Sequence, residues 1–336
     1  MCGRLRCTFA DLLRTNRRIM KVLVTGANGF VGQAVLLRLN GMSDVTAVGS
    51  VRRAPIFGNT GTRLAIVSEL SAQTDWSLAL AGVQAMVHTA AHGSHARGGR
   101  HDSLTEFRRV NVEGTLNLAR QAAAMGVRRF VFISSIKVNG DQTLPGQPYT
   151  ADDVPAPIDS YGISKHEAEK GLHQLAQETG LEVVIIRPVL VYGPGVKGNF
   201  RTLMRWLNLG IPLPLGAIQN QRSLVALDNL VDLIVTCLHH SAGANQTFLV
   251  SDGEDFSTTA LLRSTAAALG RSAHLIPMPV PVLRMAARLL GKEDLAQRLC
   301  GSLQVDISKT RAVFGWAPSV SADTALRRTV RDFLAK

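Results

Sequence analysis

The feature that most constrains what this chain can fold into is a rhythm. Between Lys21 and Arg187, short runs rich in β-branched residues alternate with longer stretches whose apolar residues recur at helical spacing. Residues 21–25, 45–51, 63–67, 85–89, 129–134 and 182–187 read as strands, and 32–39, 75–81, 104–125 and 161–178 as helices. A strand, a helix and a second strand in succession close as a parallel pair. The repeat therefore predicts an α/β, doubly wound parallel sheet with helices on both faces. The strands are apolar throughout instead of alternately apolar and polar, which requires burial on both sides.

After Arg187-Pro188 the rhythm breaks into Gly and Pro punctuation, at Gly193-Pro194-Gly195 and Ile211-Pro212-Leu213-Pro214. That shift divides the chain into a regular part, residues 20–188, and a smaller, mixed C-terminal region, residues 189–336, assigned to substrate binding. Segments 223–226 and 247–250 again read as strands and 229–239 as a helix, so parts of 223–250 are expected to return to the sheet. Residues 306–333 read as two short helices joined at Ala317-Pro318. Residues 280–290, with Arg284 and Arg288, form an amphipathic basic stretch that is read as a core-facing helix, with association at the inner face of a membrane as the alternative.

Composition enters mainly through what it excludes. With 46% hydrophobic and 18% charged residues, the 336-residue chain is globular in balance, and no run approaches the ~18 apolar residues of a membrane span. Of the +12 net charge, +4 belongs to residues 1–20, where Arg4, Arg6, Arg14, Arg17 and Arg18 face only Asp11, and +8 to the rest. This balance suits an anionic small ligand. The chain lacks the aromatic-and-basic stripe of nucleic-acid binders. Residues 1–19 lack the apolar segment of an export signal, and with Met20-Lys21 directly before a strand they read as an upstream leader or a disordered arm. Cys2, Cys7, Cys237 and Cys300 make neither a metal spacing nor a disulfide framework, which fits a reducing, cytoplasmic compartment.

Gly26-Ala27-Asn28-Gly29-Phe30-Val31-Gly32 follows the first strand and opens the first helix. Glycines in that setting let the chain turn tightly, bring backbone N–H groups close to a pyrophosphate, and seat a helix N-terminus against its charge. The regular part is thus a Rossmann-type dinucleotide-binding unit. Where an NAD site places an acid on the ribose, this chain has Val48-Gly49-Ser50-Val51-Arg52-Arg53 and no carboxylate. Arg52 or Arg53 would pair with the extra phosphate of NADP, so NADP is favoured over NAD.

A second constellation is Tyr161-Gly162-Ile163-Ser164-Lys165, with Asp159 or Ser160 as the N-cap of its helix. Spacing i, i+4 puts phenol and ammonium on one helical face. A cation there is expected to bring the tyrosine pKa down toward the range useful for proton transfer. Ser134-Ser135 ends the preceding strand, where a parallel sheet presents its ligands, and a hydroxyl there orients a carbonyl or alcohol.

Further runs join these: Val87-His88-Thr89-Ala90-Ala91, Asn111-Val112-Glu113-Gly114-Thr115, Ser134-Ser135-Ile136-Lys137-Val138-Asn139-Gly140, Val191-Tyr192-Gly193-Pro194-Gly195 and Phe314-Gly315-Trp316. On them, residues 20 to about 335 resemble the extended short-chain dehydrogenases/reductases, in particular the NAD-dependent nucleotide-sugar epimerase/dehydratase group. The likeness implies Ser135 as the reacting hydroxyl, Tyr161 as acid/base, and Lys165 as the residue that holds the nicotinamide ribose. It implies a coenzyme held by Gly26, Asn28, Gly29, Phe30, Val31, Gly32, Arg52, Glu69, Leu70, Thr89, Ala90, Ala91, Asn111, Ser134, Tyr161, Lys165 and Pro188. Glu69-Leu70 would flank the adenine, and Asn111 would tie helix to strand. For a UDP-sugar it points to Asn199, Lys197 and Arg222, with Arg298 substituting for a diphosphate-clamping arginine that is absent at Ala296. Leu190 stands where UDP-glucose 4-epimerases have a polar substrate contact.

The closer likeness, carried by the Ser134–Gly140 and Gly195–Phe200 runs, is to UDP-sugar 4-ketoreductases of surface-polysaccharide synthesis that form UDP-N-acetylquinovosamine. The leading expectation is therefore reduction at C4 of a UDP-4-keto sugar. The alternatives are a UDP-hexose 4-epimerase with bound NAD and a non-catalytic dinucleotide sensor. A homodimer through helices 104–125 and 161–178 is the family expectation. His88, His92, His95 and His101 lack the cysteine or carboxylate partners of a metal shell, so no metal is expected.

Overall fold

A computed structural model describes residues 19–53, 63–93, 104–144 and 146–336. The expected leader, with Cys2 and Cys7, and also His95 and His101 fall outside these, apart from Ile19. Seven parallel strands form the main sheet: β1 (Met20–Thr25), β2 (Val45–Val51), β3 (Arg63–Ile66), β4 (Ala85–His88), β5 (Arg129–Ile133), β6 (Glu182–Pro188) and β9 (Gln246–Val250). Their order is β3-β2-β1-β4-β5-β6-β9, so the winding reverses between β1 and β4. That reversal opens a crevice beyond the carboxyl ends of the two strands.

The uniformly apolar strands divide their side chains between two cores. Val22 and Val24 of β1, Val131 of β5 and Ile186 of β6 join one cluster. Leu23, Phe130, Phe132 and Ile185 join the other. Alternate residues of a strand point to opposite faces, so a strand apolar at every position has to be covered twice. Helices Phe30–Asn40 and Leu227–His239 cover the first face through Val35, Leu39, Leu230 and Ile234. The second is covered by helix Ser160–Thr179 and by a helical run made of Leu104–Phe107, a π-helical segment Arg108–Gly114 and Thr115–Ala124.

The two later strand segments part company. β9 pairs with β6 in the main sheet. β8 (Arg222–Ala226) does not return there: it forms a separate mixed sheet, parallel to β7 (Leu190–Tyr192) and antiparallel to β10 (Asp255–Phe256). Tyr192 donates to the Asp252 carboxylate at 2.8 Å, and Asp252 also accepts from the Ala226 amide and Asn229, which pins this sheet together. A third core, including Phe200, Met204, Leu213, Leu224 and Leu262, lies under this lobe. The helix Val280–Leu289 corrects its sequence reading: none of its residues is buried, because only Val280 and Leu283 touch that core.

Candidate active site

The glycine run makes a turn that side chains would block. Gly26 has φ +68°, a conformation costly for any residue with a Cβ, and a Cβ there would meet the Ala90 amide at 2.8 Å. A Cβ on Gly32 would stand 2.3 Å from the Gly26 carbonyl oxygen. Glycine thus lets the first turn of helix Phe30–Asn40 lie directly on the loop. That turn carries no acidic residue, and its leading N–H groups have no intrahelical acceptors. A groove of about 890 Å³ opens in front of it.

The groove brings together most of the expected coenzyme residues: Gly26, Asn28, Gly29, Arg52, Glu69, Leu70, Thr89, Ala90 and Ala91. Ser50, Ser68 and Trp76 line it as well, which sequence reasoning missed. Phe30, Val31 and Gly32 form the helical turn below. Thr89 donates to the Thr25 carbonyl at 2.6 Å and fixes the end of β4 against β1. Arg109 holds Glu69 at 3.2 Å. The polar, glycine-walled cradle fits a dinucleotide, and Arg52 and Arg53 at its edge are cations without a carboxylate on the adjoining strand.

Asn111, Ser134, Pro188, Tyr161 and Lys165, also expected at the coenzyme, stand apart from the groove lining. Asn111 bonds the His92 backbone from both ends of its amide and donates to Ser164 at 3.0 Å, tying the π-helical segment to the β4 loop and to helix Ser160–Thr179. Ser134 is buried and donates to Glu169 at 2.5 Å, so its hydroxyl faces the protein. Pro188 ends β6 in register with Val250.

The residues expected to handle the proton gather where β5 ends. Asp159 is the N-cap of helix Ser160–Thr179, accepting from the Gly162 amide at 2.7 Å. A Cβ on Gly162 would lie 2.6 Å from the Lys137 carbonyl oxygen, so glycine lets this helix start hard against the turn that begins at Ser135. Ser135 caps that turn, its oxygen accepting from the Lys137 amide at 3.2 Å. Phe107 links Tyr161 to the groove, its ring 6.0 Å from Tyr161 and 5.2 Å from His92. Lys165 is buried, donates to the Ile133 carbonyl at 2.9 Å and lies 4.4 Å over the Phe132 ring.

The electrostatics reverse one expectation. The phenol is not lowered by Lys165: burial, helped by the Asp159 carboxylate, pushes Tyr161 up to about 12. Burial also brings Lys165 down to about 7, with the Glu169 carboxylate opposing that fall. A half-charged ammonium bound to a backbone carbonyl has less field to spend on the phenol than the i, i+4 spacing implied.

Glu169, one turn beyond Lys165, was missed by sequence reasoning. It forms a buried pair with Arg187 at 2.6 Å, and Arg187 also donates to Asn139 at 2.9 Å. The signal was present in the sequence: a carboxylate four residues after the lysine, on the same helical face, with an arginine ending the neighbouring strand. His88 is likewise occupied. Its nitrogens meet the Thr25 and Thr115 hydroxyls at 2.7 and 2.9 Å, and burial with the Lys165 charge brings it down to about 3.

In the second lobe, Arg222 donates to the carbonyls of Arg298 and Gly301, both at 3.0 Å. Burial and the nearby Arg298 charge lower its pKa, so the two guanidiniums expected at a diphosphate are neighbours. Lys197 and Asn199 sit exposed at the start of helix Gly198–Asn208. Leu190, half exposed, begins β7.

Residues 22–251 match the model of the NAD dependent epimerase/dehydratase family. The chain is 47% identical over 314 residues to a UDP-glucose 4-epimerase of Vibrio cholerae, covering 93% of this chain and 95% of the relative. Among solved structures it is similar to UDP-glucuronic acid 4-epimerase of Bacillus cereus in complex with NAD, with a TM-score of 0.76 at 20% identity, covering 94% and 99% of the two chains. The UDP-glucose 4-epimerase of Thermotoga maritima with UDP-glucose gives a TM-score of 0.75 at 21% identity over the same shares. These two likenesses are of fold.

Proposed function

The chain belongs to the NAD-dependent epimerase/dehydratase family, and from that premise we propose that it reduces the C4 carbonyl of a UDP-4-keto-6-deoxy-N-acetylhexosamine. The observation that carries the reading is the pair Arg52 and Arg53 at the groove edge with no carboxylate on strand β2, which suits an exchangeable NADPH. With Tyr161 near 12, the side chain holds its proton across the neutral range and is set to give it to an oxygen that gains charge.

When bound in the groove, a nicotinamide coenzyme supplies the hydride. The chain's own residues do the rest. Tyr161 Oη donates its proton to the C4 oxygen, and Ser135 Oγ hydrogen-bonds that oxygen as negative charge builds. Lys165, anchored on the Ile133 carbonyl, sits at the base of the site, and the Glu169 carboxylate opposes the loss of its charge. Arg222 and Arg298 offer neighbouring forks for the two phosphates. Arg52 and Arg53 support NADPH as the donor, since a 2′-phosphate would meet cations there. A homodimer through helix Ser160–Thr179 and the run before Ala124 belongs to the same proposal, and a sedimentation mass of one chain would contradict it.

One observation favours a second reading, 4-epimerisation of a UDP-hexose with retained NAD: the 47% identical relative is a UDP-glucose 4-epimerase. Purified protein given UDP-glucose or UDP-N-acetylglucosamine with no added coenzyme separates the two. Formation of the C4 epimer removes the reductase reading. Oxidation of NADPH in step with loss of a 4-keto UDP-sugar, and no epimer, sustains it.

A further inference from the structure

Helix Val280–Leu289 is amphipathic in an inverted sense. Its inward edge is a thin line of Val280 and Leu283 on the lobe's core, while Met285 and Leu289, spaced i, i+4, stand 61% and 82% exposed and Leu290 follows at 71%. The apolar surface continues onto the neighbouring strap. Leu213 bridges Leu275, with backbone bonds from Leu213 to His274 and from Ile276 to Leu213. This seats exposed Leu209 and Ile211 near exposed Ile276, just ahead of the helix. Val282, Met285 and Leu289, spaced i, i+3 and i+7, make an outward apolar stripe, which is uncommon on a protein that meets only water.

Charge says what the face meets. From 271 to 292 the chain carries Arg271, Arg284, Arg288 and Lys292 and no acidic residue. The strand-linked partner segment, 194 to 227, carries four more cations, among them exposed Arg201 and Arg205, and again no acidic residue. The first acid after the helix, Glu293, faces Arg288 at 3.5 Å across an exposed pair, which solvent screens. Apolar side chains facing out, flanked by arginines, are the pattern of a helix that lies in the plane of an anionic interface.

We propose that the substrate lobe docks on an anionic phospholipid bilayer surface through helix Val280–Leu289 and the adjoining strap. Met285, Leu289 and Leu290 enter the boundary between headgroups and acyl chains, and Arg284 and Arg288 meet lipid phosphates. This is a surface contact; among the described residues no helix is long and apolar enough to cross a membrane. It stands independently of which sugar the site takes.

The test is co-sedimentation of the full chain with vesicles of phosphatidylcholine containing phosphatidylglycerol, beside vesicles of phosphatidylcholine alone. The expected result is binding to the anionic vesicles, weakened by salt and absent on the neutral ones. Met285→Glu/Leu289→Glu is expected to abolish binding with thermal unfolding unchanged, since both side chains face solvent. Arg284→Gln/Arg288→Gln is expected to weaken it roughly 30-fold, from the loss of two cations near the surface. No binding to anionic vesicles, or equal binding by the glutamate variant, overturns the proposal. So does an analytical ultracentrifuge result in which the glutamate pair converts a dimer to monomer while vesicles go unbound, because the face would then belong to a second copy of this chain.

Discussion

The two lobes place functional groups by different means. In the main sheet, backbone does the placing: β1, β4 and β5 end side by side, and their following loops deliver Gly26, Ala90 and Ser135 to one rim. In the second lobe, side chains do it. Arg222 is aimed by the carbonyls of Arg298 and Gly301, and the small sheet is pinned by Tyr192, Asp252 and Asn229. Position set by a strand survives most substitutions around it. Position set by one side chain's bonds is lost with that side chain.

That contrast breaks first at Tyr161. Tyr161→Phe removes the proton donor and leaves the rim intact, so turnover is expected to fall about 10²- to 10⁴-fold with coenzyme affinity and melting temperature nearly unchanged. Undiminished turnover would remove the assignment. The next largest effect lies beneath the rim. Glu169→Ala leaves the Arg187 guanidinium buried without its carboxylate, and a loss of roughly 3–5 kcal/mol of stability is expected in urea unfolding. A loss comparable to that of an exposed pair would mean the pair only fills space.

The same contrast explains what could be read from the sequence. The sheet was legible because burial on both faces forces apolar residues at every strand position, and the glycine loop because a Cβ on Gly32 would stand 2.3 Å from the Gly26 carbonyl oxygen. The i, i+4 spacing put Tyr161 and Lys165 on one helical face, whereas the choice of Ser135 came from the family resemblance. The Tyr161 titration did not follow from the spacing, because burial outweighs a neighbouring charge that is itself half lost. Nor did the exposure of helix Val280–Leu289, whose amphipathic pattern is the same whether its apolar stripe faces inward or outward. Periodicity reports that a face exists. It does not report what covers it.

A pH experiment sharpens the account of Lys165. Its folded pKa is depressed to about 7 from an ordinary 10.5. Between those values the unfolded chain holds a proton that the folded chain has released, so this group makes stability rise with pH from about 7 to 10.5, and that stability is lost as pH falls across the same window. In coenzyme-free protein the contribution is expected to approach about 1.4 kcal/mol per pH unit within that window. Wild type and Lys165→Met, compared in urea at pH 7 and pH 9, are expected to differ in slope by that amount. Parallel slopes would show that Lys165 stays charged in the fold.

The smallest effects set two cations of the second lobe against each other. Arg222 is half-buried and held by two carbonyls, so its remaining donors are fixed when a diphosphate arrives, and Arg222→Gln is expected to raise the KM for the UDP-sugar roughly tenfold or more. Lys197 is exposed at the head of helix Gly198–Asn208, where solvent screens its charge and its side chain must be ordered on binding, so Lys197→Ala is expected to change KM by no more than about threefold. Measured on one substrate, the ratio of the two effects tests whether side-chain anchoring fixes the diphosphate. Equal losses at both positions would mean that net charge near the lobe, and not the geometry of Arg222, holds the substrate.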